Sequence, residues 1–262
     1  MTQQQALDAA RLRGRCALIT GGSGGIAAAG MARRFAREGA LIALSDLHPE
    51  GAETVAKQIR EEGGQAFVIK ADVTSSASVD AMAKSAAEAM GGLDVLVSCA
   101  GGYTSYARFE EINEDDWDRV IALNLKSVYL CCKAVLPYMR ERSYGRIINL
   151  GSLAGRSTSA GTSPAHYGTA KAAVSMLTQY VAKDVAPLGI TANTVAPGTT
   201  ATDRVEKLLT PDKRKAFVQA TPVGVLAQPD DIVGIITFLA SEESRHITGA
   251  TIDDNGGRLM LV

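Results

Sequence analysis

Two side chains that could together move a proton, Tyr167 and Lys171, stand four residues apart in a stretch with a helical pattern. Residues at that spacing share one face of a helix, so both side chains project the same way. A tyrosine phenol has a pKa of about 10 and transfers protons poorly at neutral pH. A neighbouring ammonium group stabilises the phenolate and lowers that pKa. The spacing indicates a general acid/base pair, although such a pair taken alone is more often plain helix surface.

A serine supports the catalytic interpretation. Ser152 follows the apolar run Arg146–Leu150, which is predicted to be a buried strand. Its hydroxyl would then lie at the carboxyl edge of a sheet, where it could hold and polarise a substrate oxygen. We therefore expect Ser152, Tyr167 and Lys171 to form one catalytic centre.

Near the start of the chain, a predicted strand runs into the glycine-rich segment Thr20–Ala27 and then into a helix. Glycine allows the backbone to turn sharply and to approach a pyrophosphate closely. The helix that follows offers unpaired N–H groups and a partial positive charge to the phosphates. The segment fits the pattern GxGxxA, and its position at the first strand-to-helix turn predicts dinucleotide binding.

An acidic residue at the end of the second predicted strand bears on which dinucleotide binds. Asp46 stands about 20 residues after the glycines, where a carboxylate can accept hydrogen bonds from the adenosine ribose. It would repel a 2′-phosphate, and the glycine turn carries no Arg or Lys to attract one, so NAD is favoured over NADP. The alternative is that Asp46 only caps the next helix. Asp72 and Val73, after the third strand, could contact the adenine edge, but Asp72 also suits a cap.

Short apolar runs alternate with longer amphipathic segments along the chain, which predicts a parallel sheet covered by helices. The predicted strands are Cys16–Thr20, Leu41–Ser45, Ala66–Lys70, Val95–Ser98, Arg146–Leu150, Thr191–Val195 and Ala250–Ile252. The predicted helices are Gly25–Glu38, Gly51–Glu62, Ser76–Met90, Glu114–Arg142, Pro164–Ala186 and Gln228–Ala240. The predicted fold class is α/β, a single-domain Rossmann-type doubly wound parallel sheet of about seven strands with helices on both faces.

Length and composition favour one domain and exclude several functions. The 262 residues suit a single catalytic domain, with residues 1–13 as a flexible lead-in and residues 198–227 as a substrate lid. A net charge of −1 gives no reason to expect nucleic acid or membrane as a partner. No signal peptide or membrane span is predicted, which favours a cytoplasmic protein. The four cysteines lack metal-binding spacing, so no metal site is expected.

The motifs, taken in order, resemble the short-chain dehydrogenase/reductase family and are similar to its 3-oxoacyl-carrier-protein reductases. The resemblance runs from about Gly14 to Gly257. It is carried by the glycine turn Thr20–Ala27, the pair Asp72-Val73, the turn Ser98–Gly101, Asn124 within Leu-Asn-Leu, Ser152, the motif Tyr167–Lys171, the pair Pro197-Gly198, and Asn255 with its two following glycines.

Three departures from the family pattern stand out. Ala27 replaces the usual last glycine of the turn, and Ser98 and Cys99 replace the two asparagines of the familiar Asn-Asn-Ala-Gly. The number of residues from Ser152 to Tyr167 is larger than is common in the family, which indicates an insertion in the loop 156–163.

The resemblance implies specific roles. Tyr167 would be the general acid/base, Lys171 would lower its pKa and bind the nicotinamide ribose, Ser152 would orient the substrate oxygen, and Asn124 would hold a water in the proton relay. The implied cofactor contacts, including those named above, are Gly21, Ser23, Gly24, Gly25, Ile26, Asp46, Leu47, Asp72, Val73, Ala100, Gly101, Tyr167, Lys171, Pro197, Gly198, Thr200 and Thr202.

The predicted function is an NAD(H)-dependent oxidoreductase that interconverts a small secondary alcohol and a ketone. An alternative is reduction of 3-oxoacyl groups on acyl-carrier protein or CoA. Asp46 opposes its NADP preference, and Ser143 and Leu188 stand where carrier-docking arginines are expected, although Arg142 is adjacent. A third alternative, a non-catalytic dinucleotide sensor, is opposed by retention of all four predicted catalytic residues.

Family resemblance also implies a homotetramer built through the helices that carry Asn124 and Tyr167. An apolar stripe would suit either that contact or burial against the sheet; its members are Val120, Leu123, Ser127, Leu130 and Ala134. His166 is expected at a pocket wall or the surface, because helix neighbours point in different directions. Tyr103 and Tyr106 are candidates for the substrate pocket.

Overall fold

The structure, a computed structural model, describes residues 10–104, 106–158, 163–207 and 209–261. Its strands are β1 (Cys16–Thr20), β2 (Leu41–Asp46), β3 (Gln65–Lys70), β4 (Val95–Ser98), β5 (Gly145–Leu150), β6 (Ile190–Pro197) and β7 (Thr251–Asp254). They form one parallel sheet in the order β3-β2-β1-β4-β5-β6-β7. The predicted fold class is confirmed.

Helices cover both faces of the sheet. They are α1 (a π-helical turn Ala27–Met31 continued by Ala32–Arg37), α2 (Glu50–Glu61), α3 (Ser76–Met90), α4 (Glu114–Glu141, with a π-helical turn at Ala122–Lys126), α5 (Ala165–Val185), α6 (Asp203–Glu206), α7 (Pro211–Gln219) and α8 (Pro229–Ala240). Two separate hydrophobic cores result, one under α1, α2 and α8 and the other under α3, α4 and α5. Burial on both faces explains why the central strands are apolar without alternation.

Local signals fix several boundaries where the sequence predicts them. Helix α3 begins after Ser75, whose side chain accepts a hydrogen bond from the Ser78 N–H, and ends at Gly91 in the left-handed conformation with φ 78°. The strands β1 and β4 also have their predicted bounds. The last strand is displaced from its prediction and runs through Thr251–Asp254 rather than Ala250–Ile252, because β7 pairs with the later half of β6.

The order of the strands places a crevice between β1 and β4. Successive strands β1, β2 and β3 extend the sheet one way, and the chain then crosses back so that β4 pairs with β1. Ligands of doubly wound sheets bind beyond the carboxyl ends of the strands at such a switch point. The loops that follow β1 and β4 therefore border the expected dinucleotide crevice.

The apolar stripe on α4 is buried within the chain's own fold. Val120, Ser127, Leu130 and Ala134 are each at most 9% exposed, and Leu123 packs against the same core. Burial against the sheet is thus the correct alternative, and these residues are not an exposed subunit contact. Among the described helices, α4 has the length and hydropathy of a membrane span, and half of the relevant window is buried inside the fold.

Two segments have special predicted roles, the lead-in (residues 1–13) and the lid (residues 198–227). Of the predicted lead-in, residues 1–9 lie outside the described residues, whereas Leu12 is fully buried and its N–H donates to the Glu38 carbonyl. The predicted lid, residues 198–227, contains α6 and α7, and its ends are joined by a parallel bridge between Thr200 and Ala227. The chain therefore leaves the sheet and returns to it at nearly the same point.

Candidate active site

Tyr167 and Lys171 lie on one face of α5 at the carboxyl edge of the sheet. The Lys171 side chain is buried, and its Nζ donates a 2.7 Å hydrogen bond to the carbonyl oxygen of Leu150, the last residue of β5. Nζ lies 5.8 Å from the centroid of the Tyr167 ring. Burial lowers the pKa of Lys171 to about 8, so the ammonium form still predominates at neutral pH.

Ser152 is brought close to α5 by two glycines. It follows β5 directly and caps the short 3₁₀ helix Leu153–Gly155, its Oγ accepting a hydrogen bond from the Ala154 N–H at 3.1 Å. A Cβ on Gly155 would lie 2.5 Å from the carbonyl carbon of Lys171, and one on Gly168 would lie 3.0 Å from the Ala154 oxygen. The contact at Gly155 leaves no room for a side chain, and the one at Gly168 leaves little, so the short 3₁₀ helix after Ser152 packs directly on the backbone of α5.

Asn124 is fully buried in the π-helical turn of α4. Its Oδ1 accepts from the Gly102 N–H at 2.8 Å, and its Nδ2 donates to the carbonyls of Gly102 at 2.8 Å and Val120 at 2.9 Å. A Cβ on Gly101 would lie 2.8 Å from Asn124 Oδ1 and 3.2 Å from Lys171 Nζ. The amide is therefore adjacent to the lysine across Gly101, and its own bonds fix the loop after β4.

Tyr103 contacts the predicted acid/base residue directly. Its ring lies 4.8 Å from the Tyr167 ring, centroid to centroid, at an interplanar angle of 58°. Tyr106 is largely exposed and borders a cavity of about 350 Å³ together with Ala154, Ser157 and neighbouring residues. The residues that line this cavity carry no formal charge, and they include Ala154, two residues after Ser152, and Gly168, which follows Tyr167.

The glycine turn lies against the loop after β4. Gly21 has φ 71°, and a Cβ there would lie 2.9 Å from the Ala100 Cα. The hydroxyl of Thr20 accepts hydrogen bonds from the backbone N–H groups of Cys99 and Ala100 at 3.2 and 3.3 Å. By contrast, a Cβ on Gly25 would meet nothing within 4 Å, although its φ of 58° favours glycine. The turn is thus closed on its inner side and open towards the crevice, which fits a bound dinucleotide.

Asp46 is linked to the glycine turn by its carboxylate. One oxygen accepts from the Ser23 N–H and the other from the His48 N–H, both at 3.0 Å. Ser23 in turn donates its hydroxyl to the His48 carbonyl and accepts from the Ala52 N–H at 3.1 Å, at the start of α2. Each carboxylate oxygen retains capacity for a further bond. Leu47, beside it, is 48% exposed and offers an apolar surface at the same position.

The other predicted cofactor contacts have varied surroundings. Asp72 accepts hydrogen bonds from the backbone N–H and hydroxyl of Thr74, which lowers the pKa of Asp72, so its side chain fixes the turn before α3, whereas the cap of that helix is Ser75. Val73 is buried, and Ile26 packs against the core below α1. Both side chains therefore contribute to packing, and their contact with the cofactor stays a prediction.

At the end of β6, the segment from Pro197 onwards is tied to β7. The Gly198 N–H donates to the Asp254 carbonyl at 2.9 Å, and Thr200 Oγ1 donates to the Gly198 carbonyl at 3.2 Å. Thr202 caps α6 by accepting from the Val205 N–H at 3.4 Å. Thr202 thus already has a local structural role at the start of the predicted lid.

Sequence reasoning missed two long-range contacts near the site. Arg156, just after the Ser152 turn, makes a bidentate pair with Asp253 of β7 through two 3.0 Å bonds. His166 is fully buried and pairs with Asp116 of α4, so a surface position for His166 is wrong. Neither pairing has a signal in local spacing, because the partners are far apart in the chain. Of the predicted inserted loop, residues 159–162 lie outside the described residues.

The chain is similar in sequence to a known family and to several known dehydrogenases. A family model described as enoyl-(acyl carrier protein) reductase matches residues 22–258. The chain is 39% identical over 247 residues to a 2,5-dichloro-2,5-cyclohexadiene-1,4-diol dehydrogenase of Sphingobium indicum, covering 94% of this chain and 97% of the relative. It is 37% identical over 261 residues to a cyclohexanol dehydrogenase of Rhodococcus sp., covering 94% and 96%.

Similarity extends to reductases of acyl groups. A 3-oxoacyl-[acyl-carrier-protein] reductase of Vibrio cholerae is 38% identical over 251 residues, covering 95% of this chain and 99% of the relative. The crystal structure of a 3-oxoacyl-[acyl-carrier protein] reductase from Brucella melitensis superposes with a TM-score of 0.90 at 29% identity, covering 100% of this chain and 97% of that one. The chain belongs to the short-chain dehydrogenase/reductase family of oxidoreductases, which use a nicotinamide dinucleotide.

Proposed function

We propose that this protein is an NAD(H)-dependent oxidoreductase that interconverts a secondary alcohol and a ketone, with Tyr167 as the general acid/base. The observation that carries the proposal is the buried Lys171 ammonium on the same helix face as the Tyr167 phenol. A cation in a poorly solvated position stabilises a nearby phenolate more strongly than it would in water. This brings the phenol within range of useful proton transfer.

The chain's own residues divide the chemistry. When bound, the nicotinamide supplies or accepts the hydride. Tyr167 donates its phenolic proton to the carbonyl oxygen during reduction and takes it back during oxidation. Ser152 holds that oxygen in position by a hydrogen bond, and Lys171 stabilises the phenolate left behind. Asn124 anchors the loop after β4 and is the proposed holder of a water in the relay from Lys171.

In this proposal, Asp46 sets the preference for NAD over NADP. Its carboxylate stands at the end of β2, next to the open side of the glycine turn, with capacity left to accept bonds from ribose hydroxyls. A 2′-phosphate at that point would meet a negative charge. The two residues that follow, Leu47 and His48, provide no permanent positive charge to offset it. These features support NAD rather than NADP.

The proposed substrate is a small, uncharged, ring-containing alcohol or ketone. Two of the relatives are named for dehydrogenation of six-membered-ring alcohols. The cavity beside the site is lined without formal charge and includes aromatic rings from Tyr106 and Phe109. Residues 198–227 are the proposed substrate lid, because the segment follows the carboxyl end of β6 and its ends meet at Thr200 and Ala227.

A second candidate is reduction of 3-oxoacyl thioesters, which the Vibrio cholerae relative and the family description favour. The arginine nearest to the expected carrier-docking positions argues against it. Arg142 donates to the buried carboxylate of Asp94 at 2.9 Å and to the carbonyl of Gly91 at 2.9 Å. It is thus committed to holding the fold together and is less available to an acidic carrier.

The proposed assembly is a homotetramer in the cytoplasm. With the stripe on α4 buried, the surface left for subunit contact on α4 and α5 includes Tyr129 and Met176, which are 45% and 55% exposed. Exposed apolar side chains of this size are common at subunit interfaces. Light scattering of the purified protein measures the assembly directly.

The function is tested by an NADH-coupled screen over cyclic ketones, sugars, steroids and 3-oxoacyl thioesters. We expect turnover with cyclic ketones and about a thousandfold loss of kcat in Tyr167→Phe, the scale of general acid–base catalysis. Tyr180→Phe loses the same hydroxyl from an exposed position on the same helix and serves as the matched control. Equal turnover by Tyr167→Phe and the wild type would refute the mechanism, and turnover confined to thioesters would favour the second candidate.

A further inference from the structure

The carboxylate of Asp116, in the first turn of α4, is linked by hydrogen bonds to His166 and, through Arg119, to Thr104. These two residues adjoin Tyr167 and Tyr103 in the chain. Asp116 Oδ2 lies 3.2 Å from Nε2 of His166, the residue before Tyr167. Its Oδ1 accepts a hydrogen bond from Arg119, whose guanidinium also donates to Thr104 Oγ1 at 3.0 Å. The carboxylate therefore links α4 to α5 and to the loop after β4.

The loop that carries Tyr103 is held on both sides by α4. Thr104, the next residue, is held through the arginine just described. Gly102, the preceding residue, exchanges two 2.8 Å hydrogen bonds with the Asn124 side chain. Tyr103 lies between these anchors, and its ring packs on Tyr167. Loss of the Arg119–Thr104 bond should allow the Tyr103 ring to shift, whereas the Asn124–Gly102 bonds keep the loop in place.

His166 depends on its bond to the carboxylate. The imidazole is fully buried, its Nδ1 has no hydrogen-bond partner among the described residues, and the Trp117 ring stacks on it at 6.4 Å. An ionised carboxylate only accepts, so Nε2 donates. The Arg119 bond, followed by the His166 bond, lowers the pKa of Asp116 and keeps it ionised. A buried polar ring with a single partner loses much of its orientation when that partner is removed.

We propose that Asp116 is a positioning residue that fixes the ring pair Tyr103–Tyr167 through its two hydrogen-bonded partners. Through His166 it restrains the start of α5, one residue from the phenol. Through Arg119 it restrains the loop that places the second ring. The phenol is then held at a fixed distance from the ammonium below it, and the second ring forms a fixed wall beside the reacting carbonyl. This inference rests on the proposed role of Tyr167 as general acid/base.

The principal test is Asp116→Asn, which keeps the side-chain size and removes the charge. We expect kcat to fall about tenfold, because small displacements of a catalytic group have effects of that order or larger. The affinity for NAD, measured by fluorescence titration, should stay unchanged because Asp116 is remote from the glycine turn. The apparent pKa in the pH profile of kcat/KM should rise, because the Tyr167 phenol moves away from the Lys171 ammonium. An unchanged kcat and pH profile would overturn the proposal.

A double-mutant cycle separates positioning from general stability. Asp116→Asn should reduce kcat by a smaller factor in a Tyr103→Ala background than in the wild type, because only the link through His166 is then left to lose. Equal fold-losses in both backgrounds would contradict the proposal. Asp115→Asn removes the same charge from an exposed residue of the same turn and should leave kcat unchanged.

Two further measurements keep the test independent of folding and of substrate. Thr104→Val alters only an exposed loop residue, and we expect a smaller loss of kcat in the same direction even if Asp116→Asn does not fold. Crystal structures of the wild type and the variants should show the two rings displaced from their 4.8 Å contact. Rings that stay in place in a variant lacking the Asp116 or Thr104 link would overturn the positioning role. Absence of turnover by the wild type with every alcohol and ketone would count against the proposed function instead.

Discussion

The two edges of the sheet differ in whether their buried charged side chains are paired with an opposite charge. At the amino edge, the carboxylate of Asp94 is completely buried and accepts bonds from Arg142 Nε and from the Cys16 N–H, both at 2.9 Å. Arg146, 2% exposed, lies 3.3 Å from the Glu242 carboxylate and also bonds backbone carbonyls. Each charge there has an opposite charge beside it.

At the carboxyl edge, the buried ammonium of Lys171 forms no ion pair with any residue that the structure describes. Lys171 donates to a neutral carbonyl, and its pKa falls to about 8 through burial. A paired buried charge mainly maintains structure, whereas an uncompensated one can respond to charge that develops nearby. The contrast explains why the amino edge should govern stability and the carboxyl edge activity.

The largest expected difference concerns activity at the carboxyl edge. Lys171→Met removes the ammonium and keeps an unbranched side chain, and we expect kcat to fall about a thousandfold because the phenol loses its electrostatic support. Steady-state kinetics with NADH and a cyclic ketone measures the loss. Lys183→Met, at an exposed position of the same helix, is the control and should leave kcat unchanged. A loss below threefold in Lys171→Met would show that the carboxyl edge does not work as described.

At the amino edge, Asp94→Ala should affect stability instead. Removing the buried carboxylate costs about 3 kcal/mol, mainly because the buried Cys16 N–H loses its acceptor, whereas the partly exposed Arg142 can be solvated. Urea unfolding measures the free energy change, and kcat of the folded fraction should match the wild type. Asp80→Ala, exposed on α3, should change the free energy of unfolding by far less. A stable Asp94→Ala protein with lowered kcat would reverse the comparison.

The pH dependence of stability gives a third contrast. The folded pKa of Lys171 is lowered from 10.5 to about 8, so between these values the unfolded chain binds more protons than the folded one. The free energy of unfolding of the apo wild type should therefore rise with pH in that window, by up to about 3 kcal/mol relative to Lys171→Met. Urea unfolding of both proteins at several pH values measures the difference. A difference that is constant with pH would contradict the lowered pKa.

The smallest expected effect lies at the adenosine end of the carboxyl edge. Asp46→Ala should raise the affinity for NADP relative to NAD about tenfold, because it removes a negative charge that repels the 2′-phosphate. Fluorescence titration with both cofactors gives the ratio, which cancels any general damage to the turn. Glu50→Ala, an exposed charge at the start of α2, is the control. Tighter binding of NADP than NAD by the wild type would show that Asp46 does not set the preference.

Much of this architecture could be predicted because its signals are local. Buried strands appear as short apolar runs, and a helix such as α3 has a serine cap at one end and a left-handed glycine at the other. The catalytic prediction also depends on short spacing, since Tyr167 and Lys171 share a helix face wherever that helix packs. The short helices α6 and α7 were left unassigned by periodicity because they are only 4 and 9 residues long.

Contacts between distant segments could not be predicted in the same way. His166 and Asp116 are 50 positions apart, and their contact depends on how α4 packs against α5. The same holds for Arg142 and Asp94, 48 positions apart, which local reasoning treated only as a nearby basic residue. Periodicity shows which face of a helix is apolar but not which polar residues on two helices will meet.

The π-helical turn in α4 divides that helix into two halves with different phases. In the turn Ala122–Lys126, the Ser127 N–H bonds the Ala122 carbonyl five residues back, equivalent to one extra residue in an α-helix. Deleting a residue there would rotate the amino half by about 100° relative to the core half. Asp116 would then face away from α5, while the stripe residues after the turn, Ser127, Leu130 and Ala134, kept their packing. The insertion thus lets the site end of the helix be oriented independently of the end that is built into the core.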